Sequence, residues 1–110
     1  MHWIYAHLIG DFLIQTDWMA NGKKQSSWIC LIHVATYMIP FLFTSLSWEQ
    51  LLCIALQHFW QDRTRVIEWF MRHSGKQGFA EPPKGPWSFI VVDGIIHILF
   101  IALVEKFLVF

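Results

Sequence analysis

The chain has 110 residues, of which 55% are hydrophobic, 17% aromatic and only 15% charged, and its formal net charge is zero. That length bounds it to a single domain. The absence of a basic surplus argues against nucleic acid as a partner, and so few charges cannot clothe a soluble domain of this size. The surplus apolar side chains, with seven Trp of the kind that collects at the water–lipid boundary, point to an integral membrane protein with lipids as its surroundings.

The first helix is expected over about residues 2–16. A span usually takes about 20 residues, so this helix should be tilted or incomplete. His7 and Asp11 break its apolar run, which reads as a retained helix rather than a cleaved signal. A polar stretch with Lys23 and Lys24 follows. The second helix is expected over 27–46, capped by Ser26 or Ser27 and kinked at Pro40. The third is expected over 48–72, with Ser47 and Gln50 suited to a capping box. Gln57, His58, Gln61, Asp62, Arg63, Arg65 and Glu68 make it too polar to face lipid all round, so it should be buried or partly interfacial. A loop rich in Gly, Pro and Lys covers 73–86, and Pro86 precedes a last helix over 87–110. The fold class is therefore all-α, a compact membrane-embedded four-helix bundle with one domain over 1–110. Lys23 and Lys24 in the first loop, and Arg72, Lys76 and Lys84 at the third, contrast with none near 45–49. The positive-inside rule then puts the first and third loops in the cytoplasm.

The chemistry lies in three His–Asp pairs. His7 and Asp11, His58 and Asp62, and Asp93 and His97 each stand four residues apart, a spacing that shares one helix face. In the first and third helices, running inward, His comes first; in the fourth, running outward, Asp comes first. The topology thus puts the three His on one level and the three Asp on another, nearer the cytoplasm. His33 joins from the second helix at a similar depth. Imidazole with carboxylate is a ligand set for Zn, Mn, Fe or Ni. His7, Asp11, His33, His58, Asp62, Asp93 and His97 are the candidate ligands, enough for one or two divalent ions, Zn or Mn foremost. A proton or hydrogen-bond network and another cofactor are the alternatives.

Gln15, Gln57 and Gln61 lie next to these pairs and are candidates to support them. Thr36, one turn from His33, is as well explained by a bond to its own helix. Arg63 and Arg65 could hold a phosphate or lipid head group, although Arg at such depth commonly snorkels. Lys23 and Lys24 read as topology determinants, and His2 and His73 as interfacial. Trp3, Tyr5, Phe12 and Trp18 read as lipid-facing or packing residues, and Cys30 and Cys53 as buried apolar residues.

The segment from His7 through Asp11 to Ala20, HLIGDFLIQTDWMA, resembles the signature of a small bacterial and phage membrane-protein family of unknown function. The stretches around His33, His58–Asp62 and Asp93–His97 resemble it too, so the likeness covers nearly the whole chain. The family is loosely similar to predicted membrane-bound metal-dependent hydrolases. The resemblance implies a bacterial inner membrane, or a phage-encoded protein inserted there.

The function expected is a membrane-embedded metal-dependent hydrolase. Asp11, Asp62 and Asp93 would act as catalytic carboxylates on a lipid-like phosphorylated substrate, such as a lipid or isoprenoid phosphoester. The competing expectation is a non-enzymatic membrane subunit or transport element binding metal or protons through the same cluster. A homo-oligomer or a larger membrane assembly is compatible with both.

Overall fold

A computed structural model describes residues 1–75 and 87–108. Lys76, Lys84, Pro86 and the end of the expected last helix at 109–110 lie outside the described residues. Among the described residues every regular element is helical. The α-helices are α1 (Trp3–Leu8), α2 (Asp17–Gly22), α3 (Ser27–Met38), α4 (Trp48–Arg63), α5 (Val66–His73) and α6 (Trp87–Phe107). A π-helical turn over Ile9–Leu13 follows α1, and a 3-10 turn over Pro40–Phe43 follows α3.

Local chemistry explains the boundaries. The stretch expected as one helix over 2–16 widens at Ile9–Leu13, where Ile14 N–H bonds Ile9 O at 3.0 Å. Such turns interrupt α-helices at functional positions more often than elsewhere. The chain then restarts as α2, capped by Thr16. Pro40 lacks the N–H that a continuing α-helix needs. The expected second helix therefore gives way to a 3-10 turn, and extended backbone begins at Thr44. Ser47 caps α4, and Gln50 Oε1 accepts from Ser47 N–H at 2.9 Å to complete the box. The expected helix over 48–72 divides at Thr64, whose backbone is extended. There Lys24 Nζ donates to the carbonyls of Gln61, Asp62 and Thr64, neutralising the exposed C-terminal dipole of α4.

α3 packs on α4 and α4 on α6, while α1 sits against α6 and the 3-10 turn, and α5 rests on α6. The apolar core lies toward one end of this bundle. Trp3, Ala6, Tyr37, Phe41, Ile54, Ile101 and Val104 form it. Gln50 Nε2 fastens the start of α4 to the Leu108 carbonyl at 3.0 Å, and the Met1 amine donates to Phe43 O at 2.9 Å. Gly10 allows the π turn to press on α3: a Cβ there would meet Tyr37 O at 2.8 Å.

One described helix, over Ser88–Phe107, is long and apolar enough to cross a membrane, with mean hydropathy 2.2. Only 28% of that window is buried within the protein. Ser27–Phe43 is a shorter apolar helical stretch.

Candidate metal centre

Four helical segments deliver the polar side chains to the other end of the bundle. Asp11 comes from the π turn, His33 from α3, His58 and Asp62 from α4, and Asp93 and His97 from α6. His33, His58, Asp62 and His97 are all at most 1% exposed and Asp11 is 5% exposed. Groups this polar are not buried without partners.

Two imidazoles meet first. His33 Nε2 and His58 Nε2 are 3.0 Å apart, and each stands 2.9 Å from the same oxygen, Asp62 Oδ2. Asp11 Oδ1 completes the group, 3.3 Å from His33 Nε2 and 3.6 Å from His58 Nε2. One ligand atom from each of these four residues lies within 4.8 Å of all the others. A tetrahedral ion with bonds of about 2.0–2.1 Å has edges of about 3.3–3.4 Å between its ligands. The observed separations bracket that value.

Hydrogen bonding alone accounts poorly for this cage. An ionised carboxylate only accepts. Either both imidazoles turn an N–H toward Asp62 and oppose each other across 3.0 Å, or one presents a lone pair to an anion. Asp11 Oδ1, one of the converging atoms, is buried without a hydrogen-bond partner among the described residues. A cation between the four atoms satisfies all the converging lone pairs at once. The donor set therefore fits a divalent ion, with His33, His58, Asp11 and Asp62 holding it.

A second group, Asp11, Asp93 and His97, adjoins the first and shares Asp11 with it. His97 Nε2 is 3.1 Å from Asp62 Oδ1 and 3.4 Å from Asp93 Oδ2. The two oxygens of Asp62 thus face the two groups. Gln61 Nε2 donates to Asp93 Oδ1 at 2.8 Å, the Gln57 amide donates to Gln61 Oε1, and Gln57 Oε1 lies 3.3 Å from His97 Nδ1. Aromatic stacking fixes the ring planes, with His58 sandwiched between Tyr37 at 3.8 Å and His97 at 3.9 Å.

Several expected roles change. His7 stands outside both ligand groups. Its Nδ1 is 2.8 Å from Tyr37 Oη and its Nε2 is buried without a partner among the described residues. Its ring faces the same interior, 6.0 Å from the His97 ring, but its Nδ1 is taken by the Tyr37 hydroxyl. Arg63 ties two helices together. Its guanidinium donates to Ser27 Oγ and the Lys24 carbonyl, pinning the end of α4 to the start of α3. Gln15 donates to the Asp11 carbonyl and accepts from Lys23. Thr36 bonds back to its own helix. His2 and His73 are exposed, and of the two free cysteines only Cys30 is fully buried.

Lys23 was missed as a site residue. Its Nζ lies 3.2 Å from Asp62 Oδ2, the oxygen that both imidazoles approach. Burial opposes its charge, but the carboxylates of Asp62, Asp11 and Asp93 outweigh that and hold its pKa above the usual value. For Lys24, burial is the stronger influence and pushes its pKa down. A loop lysine carries no periodic signal that would reveal such proximity. Tyr37 did carry one, standing four residues after His33.

A cavity of about 670 Å³ opens beside the centre, with Asp11, Asp93 and Lys23 on its inner side and Arg65, Phe89 and Ile90 among its walls. Asp93 of the second group and the shared Asp11 line it, whereas His33, His58, Asp62 and His97 do not.

These features define an all-helical protein with a buried His/Asp centre open to a cavity on one side. The chain belongs to the family described as a protein of unknown function, DUF3307, whose model matches residues 1–110. No curated protein and no solved structure matches it.

Proposed function

We propose that this protein is a membrane-embedded, metal-dependent hydrolase whose substrates are amphiphilic phosphoesters. The observation that carries the reading is the convergence of His33, His58, Asp11 and Asp62 beside a cavity whose lining mixes charged residues, among them Asp11, Asp93, Lys23 and Arg65, with Phe12, Ile67, Phe89 and Ile90.

The membrane placement is supported by the bundle's outer surface. Leu31, Leu52, Leu56, Ile95 and Leu99 are exposed along the long helices and Leu42 on the 3-10 turn, a surface that water would penalise. Exposed Trp18, Trp28, Trp60 and Trp69 lie at the Lys23–Lys24 end, and Trp48 lies at the other, the distribution of an aromatic belt. α6, at about 1.5 Å per residue, has the length of the hydrocarbon layer. In this arrangement α1 with the π turn, α3, α4 and α6 make a four-helix bundle in the bilayer. The cavity faces the cytoplasmic side, and α5 lies at the interface.

A divalent ion such as Zn or Mn would supply Lewis acidity and an acidified water there. The chain's own groups do the rest. Asp11 and Asp93 orient an incoming water by accepting its hydrogen bonds at the cavity floor. Arg65 offers a planar donor pair to phosphate oxygens, and Phe12, Phe89 and Ile90 give an apolar tail a wall to lie against. Trp3, Tyr37, Phe41, Ile54, Ile101 and Val104 fill the far end, so no polar path crosses the bundle among the described residues. That favours an enzyme over a transport element.

The test is metal analysis of freshly purified protein in detergent, alongside phosphate release from isoprenoid or lipid phosphates in mixed micelles. Bound Zn or Mn that disappears in His33→Ala and His58→Ala, with metal-dependent phosphate release, is expected. Wild-type protein that holds no transition metal, even after addition of Zn or Mn, would overturn the reading.

A further inference from the structure

We infer that the centre takes a second divalent cation at His97, Asp93 and Asp11, bridged to the first through Asp62, and that this second ion is the one facing the cavity. The inference rests on the metal-centre reading above and deepens it.

The protonation of His97 is dictated from outside the site. Asp93 only accepts, so the Gln61 amide must turn its NH₂ toward it. Gln61 Oε1 then faces Gln57, whose own NH₂ donates to it. That leaves Gln57 Oε1 facing His97 Nδ1, which must carry the proton. Nε2 then faces Asp62 Oδ1 and Asp93 Oδ2, 3.1 and 3.4 Å away, and between two anions it needs either a second proton or a metal ion. A divalent ion there would replace that proton and bind both carboxylates as well. Orientation of a ligating imidazole through its other nitrogen is how metal sites fix the tautomer. Asp11, whose buried Oδ1 has no hydrogen-bond partner among the described residues, is common to both ligand groups.

Asp62 spans the pair, with Oδ2 toward His33 and His58 and Oδ1 toward His97. A carboxylate with one oxygen for each ion is the usual bridge of two-metal phosphoester sites. Charge completes the argument. Three carboxylates and Lys23 sum to −2 with neutral imidazoles. One divalent ion brings the centre to zero and two bring it to +2, the charge that a phosphate monoester dianion cancels. The second ion should therefore load more weakly than the first, and more tightly when inorganic phosphate is present.

The deciding experiment titrates detergent-purified, metal-stripped protein with Mn(II), reading bound ions per chain and the electron paramagnetic resonance spectrum. Two ions per chain with an exchange-coupled signal are expected in the wild type, and phosphate should tighten the second step. Asp93→Asn should bind one ion with an isolated-ion spectrum. Gln57→Leu should weaken the second step by about tenfold or more while leaving the first unchanged. The coupled spectrum is read on the wild type, so a misfolded variant does not remove the test. Saturation at one ion per chain with an uncoupled signal overturns the second site and leaves the metal centre standing. Failure to bind any ion overturns the centre itself. A second step indifferent to Gln57→Leu overturns the role of the glutamine relay.

Discussion

The two ends of the bundle are built from the same helices by opposite means. At one end Phe41, Ile54, Ile101 and Val104 fill space with carbon. At the other, Asp11, His33, His58, Asp62 and His97 are as thoroughly buried yet hold one another through charge and directed lone pairs. Tyr37 is the seam, packed among the apolar residues, stacked on His58 and bonded through its hydroxyl to His7. An apolar end tolerates rearrangement at graded cost, because dispersion and burial are non-directional. A polar end is closer to all-or-none, since removing one member strands the others.

Substitutions can break or sharpen that contrast. The largest effect is expected for Asp62→Ala, which strips a common partner from His33, His58, His97 and Lys23. Loss of a buried charge partner costs about 3–5 kcal/mol, and thermal unfolding in detergent should show it along with complete loss of bound metal. Ile101→Ala at the apolar end should cost about 3 kcal/mol through the cavity it leaves, but metal binding by the folded fraction should persist. Equal metal loss in both variants would erase the distinction between the two ends.

Gly10→Ala should fall next. Its new methyl would press on the Tyr37 backbone as well as its ring, an overpacking worth about 1–3 kcal/mol. Because Asp11 is the adjacent residue, metal affinity should drop in parallel with stability. The smallest change is expected for Gly94→Ala, whose Cβ would meet only Phe12 Cζ at an ordinary 3.6 Å. Its unfolding midpoint should reflect a change within about 0.5 kcal/mol, although it neighbours Asp93. A large effect there would mean that the α6 face near the cavity is packed more tightly than its geometry indicates.

Much of this was legible beforehand, for reasons specific to each residue. Pairs at four-residue spacing in α4 and α6 share a face in any regular α-helix, so His58 with Asp62 and Asp93 with His97 announced themselves. Ser47 and Gln50 likewise form their box within four residues of chain. The contacts that could not be read join residues far apart in sequence. His7 bonds Tyr37, 30 residues away, and joins neither ligand group. Lys23 reaches Asp62 across 39 residues of chain, and Arg63 turns from the cavity to Ser27 and Lys24.

The amino-acid order alone determined that the chain is helical and apolar, and that a few polar side chains would be too costly to bury without partners. Those properties follow from local periodicity and transfer energies. Only the tertiary structure decided which nitrogen meets which oxygen, that Asp62 faces both ligand groups, and that one group borders the cavity while the other lies behind it. Such choices depend on distances between segments, which helix packing sets and local periodicity does not encode.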